Sequence, residues 1–463
     1  MAKIGLLPLY IALYDETSPE LRVRLEAFYE SAAKKLEACG LEVLRAPFCR
    51  VKPEFESAVG SFEKNGAKCV VTLHMAYSPS LESSQTLAKT KLPLVVLDAT
   101  ETFDFGPFQD PGEILYCHGI HGVMDMCSLL NQNGKKFAIA AGHIDRSGVI
   151  SRVAGFARAA ASAGSLCSMK VGSVGGPFAG MGDFAVTESE MLGKFGVEIV
   201  NSTPETFMKF GETVTEREIE EEMAADENMF ERIGEFSRES HRRTIFDSLS
   251  VRKWIEANGL SAFSVNFMKI GAETGLWAMP FLEACKAMAR GIGYAGEGDV
   301  LTASFAGALL SGFPDSSFVE IFCPDWNGNA LFLSHMGEMN INLAAHKPEI
   351  FEKNFIYGAK GSVNPVSCSG CYRGGEGIFA NIFKAPGGFR LLVSPVTMES
   401  EPESAKNYAG HIRGWMKPRN PVGEFLENLS RAGATHHSIL VYGAQLEQMK
   451  FFGELAGLET VEI

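Results

Sequence analysis

Four short segments set a metal-ligand type of side chain against a glycine turn or an apolar strand: GYAGEGDV around Glu297, SSFVEIFCPDW around Glu320, LFLSHMGEMN around His335, and GATHHSILVY with the pair His436-His437. An unpaired charge in such a setting is costly, so each of these groups needs a partner. Carboxylates mixed with imidazoles suit a borderline-hard divalent ion such as manganese, iron or cobalt better than a thiolate-seeking one, and zinc stays open. Each residue alone also has a plainer explanation. Glu297 would serve as the acidic residue at a helix start, His335 as a hydrogen-bonded core histidine, and Glu320 as an outward-facing strand residue. Spacing along the chain does not make them converge.

The elements around these segments decide whether they meet. The first third alternates apolar runs, KIGLLPLY, CVVTLHM, LPLVVLDA and KKFAIAAG, with helical patterns such as ELRVRLEAFYESAAKKLEA, which stops at Cys39-Gly40. That alternation predicts strand–helix units around a parallel sheet. A second alternating block runs from SMKVGSVGG through VEIVNSTP and LSAFSVNF to the helical patterns LWAMPFLEACKAMARG and VLTASFAGALLSG, and Glu297 lies in the glycine-rich turn between the last two. Within this block, EREIEEEMAADENMFERIGEFSRESHRR reads as a solvated helix face. From about residue 315 the texture changes to short strands with Gly and Pro punctuation, FVEIF, ALFLSHM, GIFANIF and GFRLLVSPV, followed by a helical VGEFLENLSRAG, the strand HSILVYG and a last amphipathic helix. The expected class is α/β: two Rossmann-like α/β domains with doubly wound parallel sheets, then a C-terminal antiparallel, β-barrel-like domain.

Composition narrows the partners. With 463 residues the chain exceeds the size of a single growing core, which predicts two or three domains. A net charge of -14 repels phosphate backbones and disfavours nucleic acid and anionic membranes. No apolar run reaches the roughly 18 residues of a bilayer span, and MAKIGLLPLYIALYDETSPE turns acidic before any cleavage site, which predicts a first strand and a cytoplasmic protein. The ten cysteines follow no framework spacing, in keeping with reduced thiols. Cys368 and Cys371 form the one close pair, and nothing nearby completes it as a zinc site.

In order and context, the four segments resemble the metal-binding segments of the L-arabinose isomerase / L-fucose isomerase family, over nearly the whole chain. The resemblance implies that Glu297, Glu320, His335 and His437 hold a divalent metal, manganese first and cobalt or iron next, with His437 as the ligand of its pair and His436 as its neighbour on the substrate side. HMAYSP resembles an aromatic-Ser-Pro segment, which implies that Tyr77 lies near the substrate of an adjoining subunit; CHGIHG resembles a segment ending in His-Gly. AFSVNF and GMGDFAVT imply Phe267 and Met181 as substrate-facing residues. Family domain limits carried over to this chain fall at 1–172, 173–314 and 315–463. The family further implies a homo-oligomer, trimeric or hexameric, with active sites at subunit contacts. One departure is clear: the family has a Gln and a His after the first strand, and this chain reads LLPLYIALYDE there. A short insertion follows AFSVNF, and the chain is shorter than typical members. The sugar's identity is therefore not carried over.

The implied activity is interconversion of a pentose or deoxyhexose aldose and its ketose through an enediol. Such a reaction takes a poorly acidic hydrogen from the carbon beside a carbonyl and returns it one carbon away. Glu297 and Glu320 then act as proton carriers as well as ligands, with base and acid unassigned between them. Two other readings compete. A sugar-binding or regulatory module shares paired α/β lobes but needs neither metal nor the late histidine pair. A nicotinamide-dependent dehydrogenase would use the glycine-rich VGSVGGPFAGMGD, which lacks the fingerprint spacing and the acidic residue about 20 positions on.

Overall fold

The computed structural model describes residues 2–401 and 405–463. The chain divides into two compact units, Met1–Ala161 and Ser162–Ile463. In the first unit, β1 (Ala2–Leu9), β2 (Leu41–Arg45), β3 (Cys69–His74), β4 (Leu94–Thr100) and β5 (Phe137–His143) form one parallel sheet in the order β2-β1-β3-β4-β5. This order reverses direction between β1 and β3, as in doubly wound sheets. β3 is buried at every position, as a strand covered by helices on both faces must be, which is why it reads as a continuous apolar run. The helix Leu21–Ala38 ends where expected, and Gly40 takes φ +81°, a left-handed backbone that glycine adopts without a Cβ penalty. β2 carries no continuous apolar run, because two of its five residues face solvent.

The second unit opens with β6 (Lys170–Val174), β7 (Glu198–Asn201), the two-residue β8 (Glu231–Arg232), β9 (Ala262–Val265) and β10 (Gly293–Gly296). Four of these form a second parallel sheet, β10-β9-β6-β7. The helix Val300–Gly312 follows β10 and is buried at almost every position, so its apolar residues run all round it. Its approach is close: a Cβ on Gly293 would lie 2.2 Å from the backbone nitrogen of Gly307.

The remaining strands are β11 (Ser316–Asp325), β12 (Ala330–Ser334), β13 (Glu349–Glu352), β14 (Val366–Cys371), β15 (Gly375–Ala385), β16 (Gly388–Met398), β17 (Ile412–Pro418), β18 (His437–Tyr442) and β19 (Glu459–Glu462). Six of them close into an antiparallel barrel in the order β16-β15-β18-β11-β12-β17, with β17 returning to β16. β19 adds to β16, while β14, β13 and β8 extend from β17. The fold is thus α/β sheets plus a closed antiparallel barrel, as the alternation and the later change of texture predict. Leu331, Leu333, Phe379, Leu392, Val396 and Leu440 belong to a core cluster that also takes in Ile219, Met223 and Ile245 from the helical region.

The charged run is where the structure departs from expectation. It forms two helices, Glu216–Met229 and Arg238–Asn258, with β8 between them. Only part of it faces water: Ile219 and Met223 enter the core, and Asp226 is fully buried against His241 and Lys286. The helix expected over LWAMPFLEACKAMARG starts only at Phe281, because Asp247 Oδ2 accepts the N–H groups of Trp277 and Ala278 and holds that stretch as a loop. Cys368 and Cys371 are buried free thiols three positions apart on β14. Among the described residues, no helix is long and apolar enough to cross a membrane.

Candidate metal centre

Glu297 sits in the turn between β10 and the helix Val300–Gly312, at φ +64°, a left-handed conformation uncommon outside glycine. Its neighbours explain how the turn holds. A Cβ on Gly298 would come within 2.1 Å of the Gly176 carbonyl oxygen, and Glu297 O accepts the Phe178 N–H at 2.8 Å. Helix-start duty falls to Asp299 instead, whose Oδ1 accepts the Thr302 N–H at 2.8 Å. That leaves the Glu297 side chain free to point elsewhere.

Glu320 lies on β11, directly opposite Ser334 of β12 and His437 of β18. Residues paired across antiparallel strands share a face, so barrel register puts Glu320 and His437 side by side. His335 follows the last residue of β12, one step from the same level. The buried imidazoles are held alike. His335 Nδ1–H donates to Glu338 Oε2 at 2.7 Å, and the other oxygen of Glu338 accepts the Tyr294 hydroxyl at 2.9 Å. His437 Nδ1–H donates to Asp299 Oδ2 at 3.0 Å, and the Phe184 ring stacks on it with centroids 5.3 Å apart. A carboxylate on Nδ1 leaves Nε2 as the free lone pair, the arrangement that orients ligating histidines.

The inward atoms form a tight group. One ligand atom each from Glu297, His335 and His437 lies within 4.8 Å of the others. Glu320 Oε2 stands beside them, 3.6 Å from His335 Nε2. Glu297 Oε2 and His437 Nε2 are buried without a hydrogen-bond partner, and they face each other at 3.9 Å. Two orphaned lone-pair atoms beside a further imidazole and carboxylate are what a divalent cation needs, so the residues fit a metal.

Electrostatics separates the two glutamates. Burial raises the carboxyl of Glu297, but the imidazoles of His436, His437 and His335 outweigh it and hold the group below its ordinary value. For Glu320 burial prevails and the shift is upward. His335 is lowered by burial and raised further by Glu338, giving a net upward shift. Burial likewise lowers His436, yet Glu297 and Asp183 on its two sides raise it to about 9.

The other residues singled out in the sequence are placed as follows. His436 Nε2 is 3.5 Å from Glu297 Oε2. Phe267 is half-buried after β9, with its ring 5.5 Å from that of Phe178, whose backbone holds Glu297. Met181 lies exposed on the same loop as Phe178. Tyr77 belongs to the first unit, half-buried in the turn after β3. Also in that unit, Tyr14 of the altered LLPLYIALYDE segment meets His118 of CHGIHG, hydroxyl to Nε2, at 3.0 Å. Asp183, Phe184, Asp299, Glu338 and Tyr294 were not singled out. Asp299 and Glu338 stand within the motifs GEGDV and SHMGE, but nothing local distinguishes a cap or a strand-end carboxylate from a histidine partner.

Family comparison bears on this geometry. The model for the L-arabinose isomerase central domain matches residues 178–310, and that for the L-arabinose isomerase C-terminal domain matches residues 315–459, together more than half of the chain. The chain belongs to the L-arabinose isomerase family. Within it, the chain is 29% identical over 255 residues to L-arabinose isomerase 1 of Bacillus licheniformis, covering 54% of this chain and 50% of that protein. It is 26% identical over 365 residues to the L-arabinose isomerase of Geobacillus kaustophilus, covering 74% and 70%, and 25% identical over 340 residues to that of Saccharophagus degradans, covering 70% and 66%. The chain thus spans half the length of the Bacillus licheniformis relative it matches. The central-domain match includes the Glu297 turn and the C-terminal match includes the six barrel strands, the two elements that bring the ligand-type side chains together.

Proposed function

We propose that this chain is a metal-dependent aldose–ketose isomerase acting on an open-chain pentose or deoxyhexose. Glu297, Glu320, His335 and His437 would hold the cation, manganese by preference with cobalt or iron as substitutes. The observation that carries this reading is the pair of buried atoms without a hydrogen bond, Glu297 Oε2 and His437 Nε2, 3.9 Å apart beside a carboxylate and a second imidazole whose Nδ1 is already engaged. When bound, the cation supplies Lewis-acid stabilisation of the negative charge that develops on the substrate's adjacent oxygens.

The protein's own groups do the rest. Glu297 and Glu320 enter from different elements, a turn and a strand, and share the proton traffic: one accepts the hydrogen from the carbon beside the carbonyl and returns it to the neighbouring carbon, giving an enediol in between. The other carries the hydroxyl proton. Asp299 and Glu338 keep both imidazoles in the ligating tautomer. His436, Phe267 and Met181 would line the sugar, and Tyr77 would reach the sugar of an adjoining subunit. A homo-oligomer, trimeric or hexameric, and a cytoplasmic setting belong to the same proposal, as do domain limits at 172 and 314.

A panel of pentoses and deoxyhexoses, each incubated with the protein and manganese, cobalt or iron, tests it by formation of the partner ketose. Ketose from at least one aldose is expected with manganese. Conversion of none would refute the isomerase reading, and tight sugar binding without conversion would favour a sugar-binding module instead.

A further inference from the structure

Asp183 reaches His436 twice with one oxygen: Oδ2 accepts the backbone N–H at 3.0 Å and the ring Nδ1–H at 2.6 Å. A carboxylate that holds both the main chain and the ring of one residue restrains χ1 and χ2 together. The remaining ring nitrogen, Nε2, is thereby turned toward Glu297 Oε2, 3.5 Å away. Phe184, the next residue, stacks on His437, so one loop addresses both members of the histidine pair. That loop is anchored on its other side by the Phe178 N–H on Glu297 O and by the Asn266 side-chain amide on Pro177 O at 3.1 Å. Asp183 and His436 keep 35% and 29% of their side-chain surface exposed, so the pair adds little stability and its effect is orientation.

We infer that Asp183 is a positioning residue for the proposed isomerisation: it clasps His436 so that Nε2 is presented to the substrate beside Glu297, while Asp183 itself hydrogen-bonds to none of the four proposed ligands. The inference rests on the isomerase reading. Its physical content is that a ring free to rotate would present Nε2 in the productive direction only part of the time, and misplacement of a contact beside reacting atoms slows the chemical step more than it weakens binding.

The test uses the full chain, Mn2+ alone as the metal probe, and L-arabinose or whichever aldose of the panel is converted fastest. Asp183→Ala is expected to lower kcat by about tenfold or more while KM moves less than about threefold. Mn2+ affinity should stay at the wild-type value. His436→Ala should show a similar loss, and the double variant no more than the single ones, as for two residues acting through one contact. Asp183→Glu should recover part of kcat, and Asp183→Asn, which keeps the side-chain volume, guards against a folding defect. Independently of turnover, a slowly exchanging Nδ1–H signal of His436 is expected in the nitrogen-15 spectrum of the wild type and should vanish in Asp183→Ala. Wild-type kcat in Asp183→Ala, additive losses in the double variant, or a parallel loss of Mn2+ affinity would overturn the inference. If the wild type converts no sugar, it is the isomerase reading that fails, and the ring spectrum still decides whether Asp183 clasps His436.

Discussion

At the scale of single residues, the candidate site is held by carboxylates bonded to the Nδ1 side of its imidazoles, away from the proposed ligand atoms. Asp299 divides its two oxygens between a helix cap and His437, and Glu338 divides its own between Tyr294 and His335. Glu338→Gln keeps the volume but replaces a charge-assisted acceptor with an amide, so Mn2+ affinity is expected to fall by about 10–100-fold in a titration of the metal alone. Unchanged affinity would mean that His335 is held by other means. Glu320 faces the centre itself. Glu320→Gln is expected to cut turnover by at least about 10²-fold with the circular dichroism spectrum intact, and retention of most activity would place the proton chemistry elsewhere.

At the scale of elements, two contacts position the site. β10 and the helix Val300–Gly312 approach so closely that Gly293 has room for no side chain: a Cβ would meet Gly307 N at 2.2 Å and Ala303 O at 2.3 Å. Gly293→Ala is therefore expected to destabilise the protein by about 3 kcal/mol or more, seen as a lowered Tm, since backbone atoms cannot rotate away. A wild-type Tm would show that the helix retreats without penalty. The second contact is ionic. Arg252 joins Glu222 and Glu283, and Lys286 joins Glu222 and Asp226, tying together the helices Glu216–Met229, Arg238–Asn258 and Phe281–Ala289. Burial raises the carboxyl of Glu222, but Arg252 and Lys286 more than offset it and hold it at about 2, below the ordinary 4.5. A depressed acid stabilises the fold above its unfolded value and loses that contribution as pH falls toward the folded one. Glu222→Gln is thus expected to flatten the drop in Tm between about pH 4.5 and 2 and to lower Tm at neutral pH, where two cations would share one fewer carboxylate. An unaltered acid profile would assign that drop to other groups.

At the scale of the whole molecule, the proposed metal would link chemistry to stability. A cation that binds the folded chain and not the unfolded one adds about 2.7 kcal/mol when present at 100 times its Kd. Chelation is expected to abolish sugar conversion and lower Tm together, and Mn2+ should restore both. Indifference of Tm and of activity to a chelator would remove the metal from the account.

The sequence by itself determined the class of fold and the family, and it supplied the ligand-type residues on which the proposed site rests. Continuous apolar runs mark β1, β3 and β4 because strands covered on both faces must be apolar nearly throughout, and the change of texture near residue 315 marks the barrel. It did not reveal that Asp226 is buried and Glu222 half-buried, since a charged run shows its own charges and not the cations, Arg252 and Lys286, that arrive from other helices. Nor did it separate Asp299 from Glu297 as the helix cap. Convergence of the site was decided only in three dimensions. Glu320 and His437 become neighbours through the register of β11 against β18, and Glu297 joins them through a left-handed turn between two glycines. Register and backbone handedness depend on which strands close the barrel and how tightly the Val300–Gly312 helix packs, and both are properties of the assembled core rather than of any one segment.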